Sequence, residues 1–233
     1  MSDFEASNSL AQPFQTVRAQ IELACHQADR PSSSVALLAV SKKHEAAKIQ
    51  QLHALGQKSF GENYVQEGVS KVQELDELDI EWHFIGPIQS NKSRLVSEHF
   101  HWVHTLGSEK LARRLNDQRP PEMAPLNVLI QVNVSEQESK SGIALEEITN
   151  LAKSISDMPK LTLRGLMCIP APLEETALKA DFSKMQQAFL DLQDSYPQVD
   201  TLSMGMSGDL ACAIECGSTM VRIGTALFGQ RTQ

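Results

Sequence analysis

Two segments near the end of the chain carry residues that could bind an anion. Ser207 and Gly208 lie in the stretch GMSGDLACAIE, where a serine can cap a following helix and a glycine lets the backbone approach a ligand closely. Gly224 and Thr225 lie in MVRIGTALFG and offer a bare amide and a hydroxyl. If each segment ends a strand of a closed α/β barrel, the two loops form the pair that frequently binds phosphate in that fold.

Arg222 precedes Gly224 by two residues, and in a strand the two residues would point to the same face. A guanidinium stays protonated and can donate hydrogen bonds to an anion or to a ring nitrogen. A structural ion pair for Arg222 and a simple helix cap for Ser207 would explain the same residues. The pattern supports the two interpretations equally.

Lys42 follows the apolar segment VALLAVS and could reach into the mouth of such a barrel. A lysine removed from water loses its proton readily and can then attack a carbonyl to form a Schiff base. The alternative is a solvated lysine at a strand end; Lys43 points the opposite way, and alternation does not decide which lysine faces inward. A carbonyl-reactive lysine together with a phosphate site would suit pyridoxal 5′-phosphate, which carries both an aldehyde and a phosphate.

His83 lies within the apolar segment EWHFIG, where the favoured interpretation is a core histidine with satisfied hydrogen bonds. The polar and basic stretch 89–94 either lines the mouth or begins a solvated helix, and the pattern leaves both open. Cys212 and Cys216 are four residues apart, with no further ligands at metal-site spacing. We therefore predict two buried core cysteines and no metal site.

The elements that would position these residues are eight short apolar segments separated by amphipathic stretches. Several segments are nearly continuous and rich in β-branched residues, which is typical of strands buried on both faces of a parallel sheet. They begin about 26 residues apart, the length of one strand and one helix, and eight right-handed repeats of that unit close a barrel. The segments are residues 35–41, 58–62, 81–86, 102–106, 127–134, 161–169, 201–206 and 220–228.

Helical spacing of apolar residues fills the intervals between these segments and precedes the first of them. The sequence predicts a TIM-type (β/α)8 barrel with an extra N-terminal helix, formed by a single domain over residues 1–233. An open doubly wound sheet is the alternative. The predicted helices are residues 8–28, 44–55, 65–75, 108–117, 144–156 and 174–194.

Composition excludes several classes of protein. The 233 residues are 41% hydrophobic and 21% charged, which is typical of a globular chain, and the net charge of −8 disfavours a nucleic-acid partner. No apolar run is long enough to span a bilayer, and the first residues lack the features of a signal peptide. Four cysteines are too few for a disulfide framework. We expect a soluble, cytoplasmic protein without a membrane partner.

Several longer motifs carry a resemblance to a known family. They are AVSK (39–42), FGENYVQE (60–67), WHFIGPIQSNK (82–92), SKSGI (139–143), RGLM (164–167), LSMGMS (202–207) and GSTMVRIGTALFG (217–229). In this order they resemble the bacterial members of the pyridoxal phosphate homeostasis protein family. The family's fold is a barrel similar to the N-terminal domain of alanine racemase, which agrees with the predicted strands.

The resemblance implies a role for each of eight residues. Lys42 would form the internal aldimine with pyridoxal 5′-phosphate, and Arg222 would face the pyridine nitrogen. Ser207, Gly224 and Thr225 would bind the phosphate. Three more residues fall in family motifs near the pocket: Asn63, His83 and Met167. The sequence departs from the family at Lys43, where the residue after the cofactor lysine is often small or polar.

These roles predict a carrier or buffer of pyridoxal 5′-phosphate without catalytic residues. An arginine against the pyridine nitrogen keeps that nitrogen unprotonated, which makes the ring a weak electron sink. Racemases of similar fold also use a second acid–base group, usually a tyrosine from an added domain, and the chain has only Tyr64 and Tyr196. The alternatives are a weak amino-acid racemase and a barrel enzyme acting on sugar phosphates. Apo-enzymes that need the cofactor are candidate partners, and the resemblance suggests a monomer or weak dimer.

Overall fold

Eight parallel strands close into one barrel in chain order in the computed structural model, which describes residues 9–137, 140–171 and 174–230. The last strand pairs with the first, from Ala36 opposite Met220 to Ala39 opposite Ile223. The predicted TIM-type barrel is therefore confirmed. The strands are β1 (Ala36–Val40), β2 (Ser59–Glu62), β3 (Glu81–Phe84), β4 (Trp102–Leu106), β5 (Leu126–Val132), β6 (Leu161–Cys168), β7 (Thr201–Ser203) and β8 (Met220–Ile223).

The barrel closes because the strands bury apolar residues on both faces. In β1, Leu37 and Ala39 belong to the large core that the strands share with the outer helices. Leu38, between them, is fully buried and lies beside Gly61 of β2, where an added Cβ would come within 3.3 Å of it. Successive residues of β1 thus face the outer core and the barrel interior alternately.

Helices surround the barrel, and one of them precedes the first strand as predicted. That first helix begins at Ala11; the predicted start, Asn8, lies outside the described residues. The first helix packs against the helix that follows β7. Arg30, just after the end of the first helix, donates from Nη1 to the carbonyl oxygen of Ile214 in that second helix at 2.7 Å. The helices are α1 (Ala11–Gln27), α2 (Ala46–Ala54), α3 (Val65–Glu74), α4 (Ser93–His99), α5 (Glu109–Gln118), α6 (Ile148–Ser156), α7 (Glu175–Ser195), α8 (Leu210–Glu215) and α9 (Thr225–Phe228).

The last two predicted strands are too long, and α4, α8 and α9 lie outside the predicted helical ranges. β7 ends at Ser203, shortly before Gly205, which adopts a left-handed φ of +98°. β8 ends at Ile223 because the apolar residues after it form α9, whose Leu227 and Phe228 are buried. The basic stretch 89–94 contains a 3-10 turn and the start of α4, so it begins a helix.

The predicted burial of both C-terminal cysteines is correct for one of them. Cys216 is buried, whereas Cys212 is partly exposed, and desolvation raises the pKa of the Cys212 thiol to about 11. Within the described ranges, no group of His, Cys, Asp and Glu side chains has the arrangement of a metal site. None of the helices in those ranges is both long and apolar enough to cross a bilayer.

Candidate functional site

Four loops at the carboxyl ends of the strands hold most of the predicted site residues. Lys42 follows β1, Asn63 follows β2, Ser207 follows β7, and Gly224 with Thr225 follows β8. Because the barrel order runs β7, β8, β1, β2, these loops are neighbours along one rim. The fold thus brings together residues that are as far as 183 positions apart in the sequence.

The loops after β7 and β8 present hydrogen-bond donors to solvent. Ser207 and Thr225 are exposed, and Gly224 is partly exposed. Among the described residues, the amides of Ser207, Gly208, Gly224 and Thr225 donate to no acceptor, and the two hydroxyls make no hydrogen bond. Clustered amides and hydroxyls of this kind suit a phosphate group.

Ser207 does not cap the following helix, contrary to the prediction. The residue before α8 is Asp209, which has no side-chain cap hydrogen bond to that helix. Its Oδ1 instead accepts from the amide of Met206 at 2.5 Å and closes the turn that contains Ser207. The Ser207 hydroxyl therefore projects from a turn and makes no capping hydrogen bond to the helix.

Lys43 is turned away from its neighbour by an unusual backbone conformation. Its φ is +62°, its side chain is exposed, and its ammonium lies 5.9 Å from the ring centroid of Tyr64. Lys42 is partly buried. Alternation alone did not decide between these two lysines, and the structure assigns the outward direction to Lys43.

A buried ion cluster lies directly beneath the loop of Lys42. The ammonium of Lys71 is 2.7 Å from both Glu62 Oε1 and Glu67 Oε1, and it donates to the carbonyl of Ser41 at 2.8 Å. Ser41 Oγ also donates to Glu62 Oε1 at 2.7 Å. Desolvation raises the pKa of Glu62 despite Lys71, and Glu62 Oε2 has no partner among the described residues. None of these contacts was predicted from the sequence.

This cluster fixes the backbone on both sides of Lys42. Lys71 holds the carbonyl of Ser41, and Glu67 Oε1 accepts from the amide of Lys43 at 2.5 Å. The residue between the two contacts therefore has little freedom in its main chain. Hydrogen bonds from neighbouring residues that hold the main chain in this way keep a binding group in a productive position.

Asn63 contributes a buried acceptor at the same rim. Its Oδ1 is buried and has no hydrogen-bond partner in the described part of the chain. The loop of Asn63 approaches Gly86 so closely that a Cβ at Gly86 would lie 2.0 Å from the Asn63 carbonyl oxygen. Buried acceptors are costly to leave unpaired, so a ligand that donates a hydrogen bond would stabilise this side chain.

Arg222 lies inside the barrel just below the rim. Its residue is 5% exposed, and burial lowers the pKa of its guanidinium. Nη1 donates to the Ser203 carbonyl and to Ser203 Oγ, both at 2.8 Å, and Nη2 donates to the Cys168 carbonyl at 2.9 Å. No carboxylate of the described residues pairs with it. The structural ion pair considered from the sequence is thus not found there.

His83 and Met167 lie deeper than the other predicted residues. Both are fully buried in the interior, where Met167 packs with Trp102 and Leu129. His83 stacks on Trp102 with ring centroids 5.1 Å apart, and both of its ring nitrogens have hydrogen-bond partners. This position agrees with a core histidine that has satisfied hydrogen bonds.

Two further interior residues were not predicted. His104 Nε2 is 2.9 Å from His83 Nδ1, and His104 Nδ1 is 3.2 Å from Ser203 Oγ. The segment WVHTL did contain a signal, because His104 shares the face of Trp102 in an alternating strand. Ser203 gave no comparable signal, since its importance depends on contacts with strands far away in the sequence.

The chain that carries this arrangement is similar to known proteins over most of its length. A family model for the N-terminal domain of alanine racemase matches residues 15–232. The chain is 52% identical over 228 residues to the pyridoxal phosphate homeostasis protein of Escherichia coli K12, covering 96% of this chain and 97% of that protein. The chain belongs to the pyridoxal phosphate homeostasis protein family.

Further relatives support membership of the pyridoxal phosphate homeostasis protein family. The Haemophilus influenzae member is 55% identical over 220 residues, covering 92% of this chain and 93% of its own. PipY of Synechococcus elongatus, solved without PLP and with PLP bound, is 36% identical, with TM-scores of 0.84 and 0.81 over 95% of this chain and all of PipY. Alanine racemase from Corynebacterium glutamicum shares only the fold, with a TM-score of 0.65 at 13% identity over 94% of this chain and 61% of the enzyme.

Proposed function

We propose that this protein binds pyridoxal 5′-phosphate reversibly at Lys42 and serves pyridoxal phosphate homeostasis as a cytoplasmic carrier or buffer, without conventional catalysis. In this proposal residues 1–233 form one binding domain. The name shared by the relatives and the PLP bound to PipY support it. The observation that carries it is the set of unengaged donors in two loops that adjoin the loop of Lys42.

The residues at the rim fit the chemical groups of this cofactor. The cofactor supplies an aldehyde, which the amine of Lys42 can attack with loss of water. Arg222 can donate to the ring nitrogen from a position fixed by Ser203, and Asn63 offers an acceptor to a donor group. His83 and Met167 form part of the buried floor below. The proposed phosphate-binding residues are Ser207, Gly224 and Thr225.

The position of Arg222 disfavours efficient catalysis of reactions in which an amino-acid substrate becomes a carbanion. The three described hydrogen bonds use three of the five N–H donors of its guanidinium. A remaining donor directed at the ring nitrogen would satisfy that nitrogen without giving up its proton, because the guanidinium stays charged. An unprotonated ring withdraws electrons weakly, so a reversible carrier fits this residue better than an enzyme that forms a carbanion.

The environment of Tyr64 does not favour the second candidate, a weak racemase. Racemisation with two bases needs an acid–base group opposite Lys42. Tyr64 follows β2 at the rim, but it is half-exposed and the ammonium of Lys43 lies over its ring. Tyr196 follows α7 on the outside of the barrel and packs against the outer core. Neither tyrosine is held as a base towards the site.

Spectroscopy of the purified protein tests the proposal. The wild-type protein with pyridoxal 5′-phosphate should show imine absorbance, and borohydride should fix the cofactor to Lys42, as located by mass spectrometry. Lys42→Ala should lose both signals, whereas the matched variant Lys43→Ala should keep them. Absence of imine absorbance in the wild type, or its persistence in Lys42→Ala, would contradict covalent binding at this residue. Racemisation of alanine that vanishes in Lys42→Ala would contradict the carrier function.

Direct transfer of the cofactor to apo-enzymes is the proposed role of the reversible attachment. Apo-enzymes should gain activity faster from the loaded protein than from an equal concentration of free pyridoxal 5′-phosphate. Equal rates would contradict direct transfer and leave buffering as the role.

Ultracentrifugation over a concentration series should find the proposed monomer or weak dimer.

A further inference from the structure

A continuous row of hydrogen bonds crosses the barrel interior from β8 to β3. It joins Arg222 to Ser203 at 2.8 Å, Ser203 to His104 at 3.2 Å, His104 to His83 at 2.9 Å, and His83 to Glu81 at 3.0 Å. Arg222 lies near the carboxyl ends of the strands, whereas Glu81 is the first residue of β3 at the opposite end. The row therefore connects the two ends of the barrel.

The groups at the two ends of this row fix the direction of its bonds when both rings are neutral. A guanidinium only donates, so Ser203 Oγ accepts from Arg222, and a carboxylate only accepts, so His83 carries its proton on Nε2 and donates to Glu81. Nδ1 of a neutral His83 is then an acceptor, and His104 donates to it from Nε2. Nδ1 of a neutral His104 accepts in turn from the hydroxyl of Ser203. All four bonds point from the cation of Arg222 towards the anion of Glu81.

The burial of the two histidines agrees with this assignment. Desolvation lowers the pKa of His83, and it lowers the pKa of His104 well below the usual value, with the Arg222 charge acting in the same direction. Both rings are therefore neutral. Burial disfavours the charge of Glu81, but hydrogen bonds from His83, Trp102 and Ser59 outweigh it and lower the carboxyl pKa.

Arg222 has no other described counter-charge in contact. Its direct partners are two carbonyls and one hydroxyl, which are neutral acceptors. A buried charge needs compensation, and polarised hydrogen bonds in series can carry it from a distance. Reversing either histidine tautomer would place two donors or two acceptors against each other.

We propose that Ser203, His104, His83 and Glu81 form a one-directional relay that positions Arg222 for the cofactor ring. Glu81 is then a positioning residue for a site at the far end of the barrel. The effect on cofactor binding rests on the proposed function, whereas the tautomers and the direction of the relay do not.

Nitrogen-15 NMR of histidine in the full-length protein tests the relay itself. At pH 7, His83 and His104 should both be neutral with the proton on Nε2, and resonance assignment of the wild-type protein identifies the two rings. A protonated ring, or a proton on Nδ1 of either ring, would overturn the proposal whatever the protein binds. This measurement uses the wild-type protein, so it decides the question even if a relay variant fails to fold.

The effect on the site is tested with Glu81→Gln, which removes the terminal anion and keeps the side-chain size. Asp79→Asn is the matched control, since exposed Asp79 lies two residues away and pairs with Lys58 outside the relay. Glu81→Gln should weaken pyridoxal 5′-phosphate binding about tenfold and shift the imine absorbance, as expected for loss of one charged hydrogen-bond partner. Asp79→Asn should do neither.

Equal affinity and equal spectra in the two variants would overturn the positioning role of Glu81. Failure of the wild-type protein to bind the cofactor would instead contradict the proposed function, and the NMR result would still stand by itself. The two failures are therefore distinguishable.

Discussion

His104 should make the folded protein less stable in mild acid. The ring is fully buried, with His83 on one side and Ser203 on the other, and burial holds its pKa well below 6.5. In the unfolded chain the same ring binds a proton at about pH 6.5. The unfolded state therefore holds more protons than the folded state below that pH, and the free energy of unfolding falls as the pH falls.

The size of the effect follows from proton linkage. At pH 5.5, one unit below the unfolded pKa, protonation stabilises the unfolded chain by about 1.4 kcal/mol for each histidine that stays neutral when folded. At pH 7.5 the same contribution is below about 0.1 kcal/mol. Replacing His104 with glutamine should thus make the change in unfolding free energy between these pH values about 1.4 kcal/mol smaller.

Urea unfolding followed by circular dichroism at pH 7.5 and pH 5.5 measures this difference directly. His104→Gln is compared with the wild type and with His26→Gln, a control at an exposed position on α1. The control should keep the wild-type pH dependence. If His104→Gln also keeps it, the ring does not stay neutral in the folded protein, and the reasoning from burial is refuted.

Two other substitutions test the packing beneath the site. Lys71→Met should lower the unfolding free energy by about 3–5 kcal/mol in urea, because it leaves the buried carboxylate of Glu62 unpaired; adding Glu62→Gln should restore part of the loss, and full additivity of the two changes would count against the pairing. Gly86→Ala should force the Asn63 loop to move, destabilise the protein by about 1–3 kcal/mol and weaken cofactor binding, whereas Gly107→Ala, where a Cβ meets no atom within 4 Å, should do neither.

The barrel could be predicted because its signal repeats along the chain. Eight apolar segments at a regular spacing indicate eight similar units, and errors at single boundaries do not disturb that count. The end of β8 could not be predicted, since the helix that follows it has four residues and buries the same kinds of side chain as the strand. A helix shorter than two turns shows no usable periodicity.

The rim of the site could be predicted from residue types, but the contacts behind it could not. Alternation indicates the face on which His104 lies, yet its contact with Ser203 spans 99 residues and depends on how far the barrel strands are staggered. The direction of Lys43 depends on a left-handed φ that its sequence neighbours do not signal. Close partners across a barrel are set by three-dimensional register, which a single sequence does not contain.

The hydrogen bonds of Lys71 and Glu67 to the main chain around Lys42 have a kinetic consequence. Because Ser41 and Lys43 are already held in the folded protein, the conformational entropy of this segment is lost during folding and not at each binding event. In the proposed function, binding and release of the cofactor at Lys42 then need no slow ordering of this loop. Exchange of the cofactor should therefore proceed at the rate of bond formation and hydrolysis, without a conformational delay.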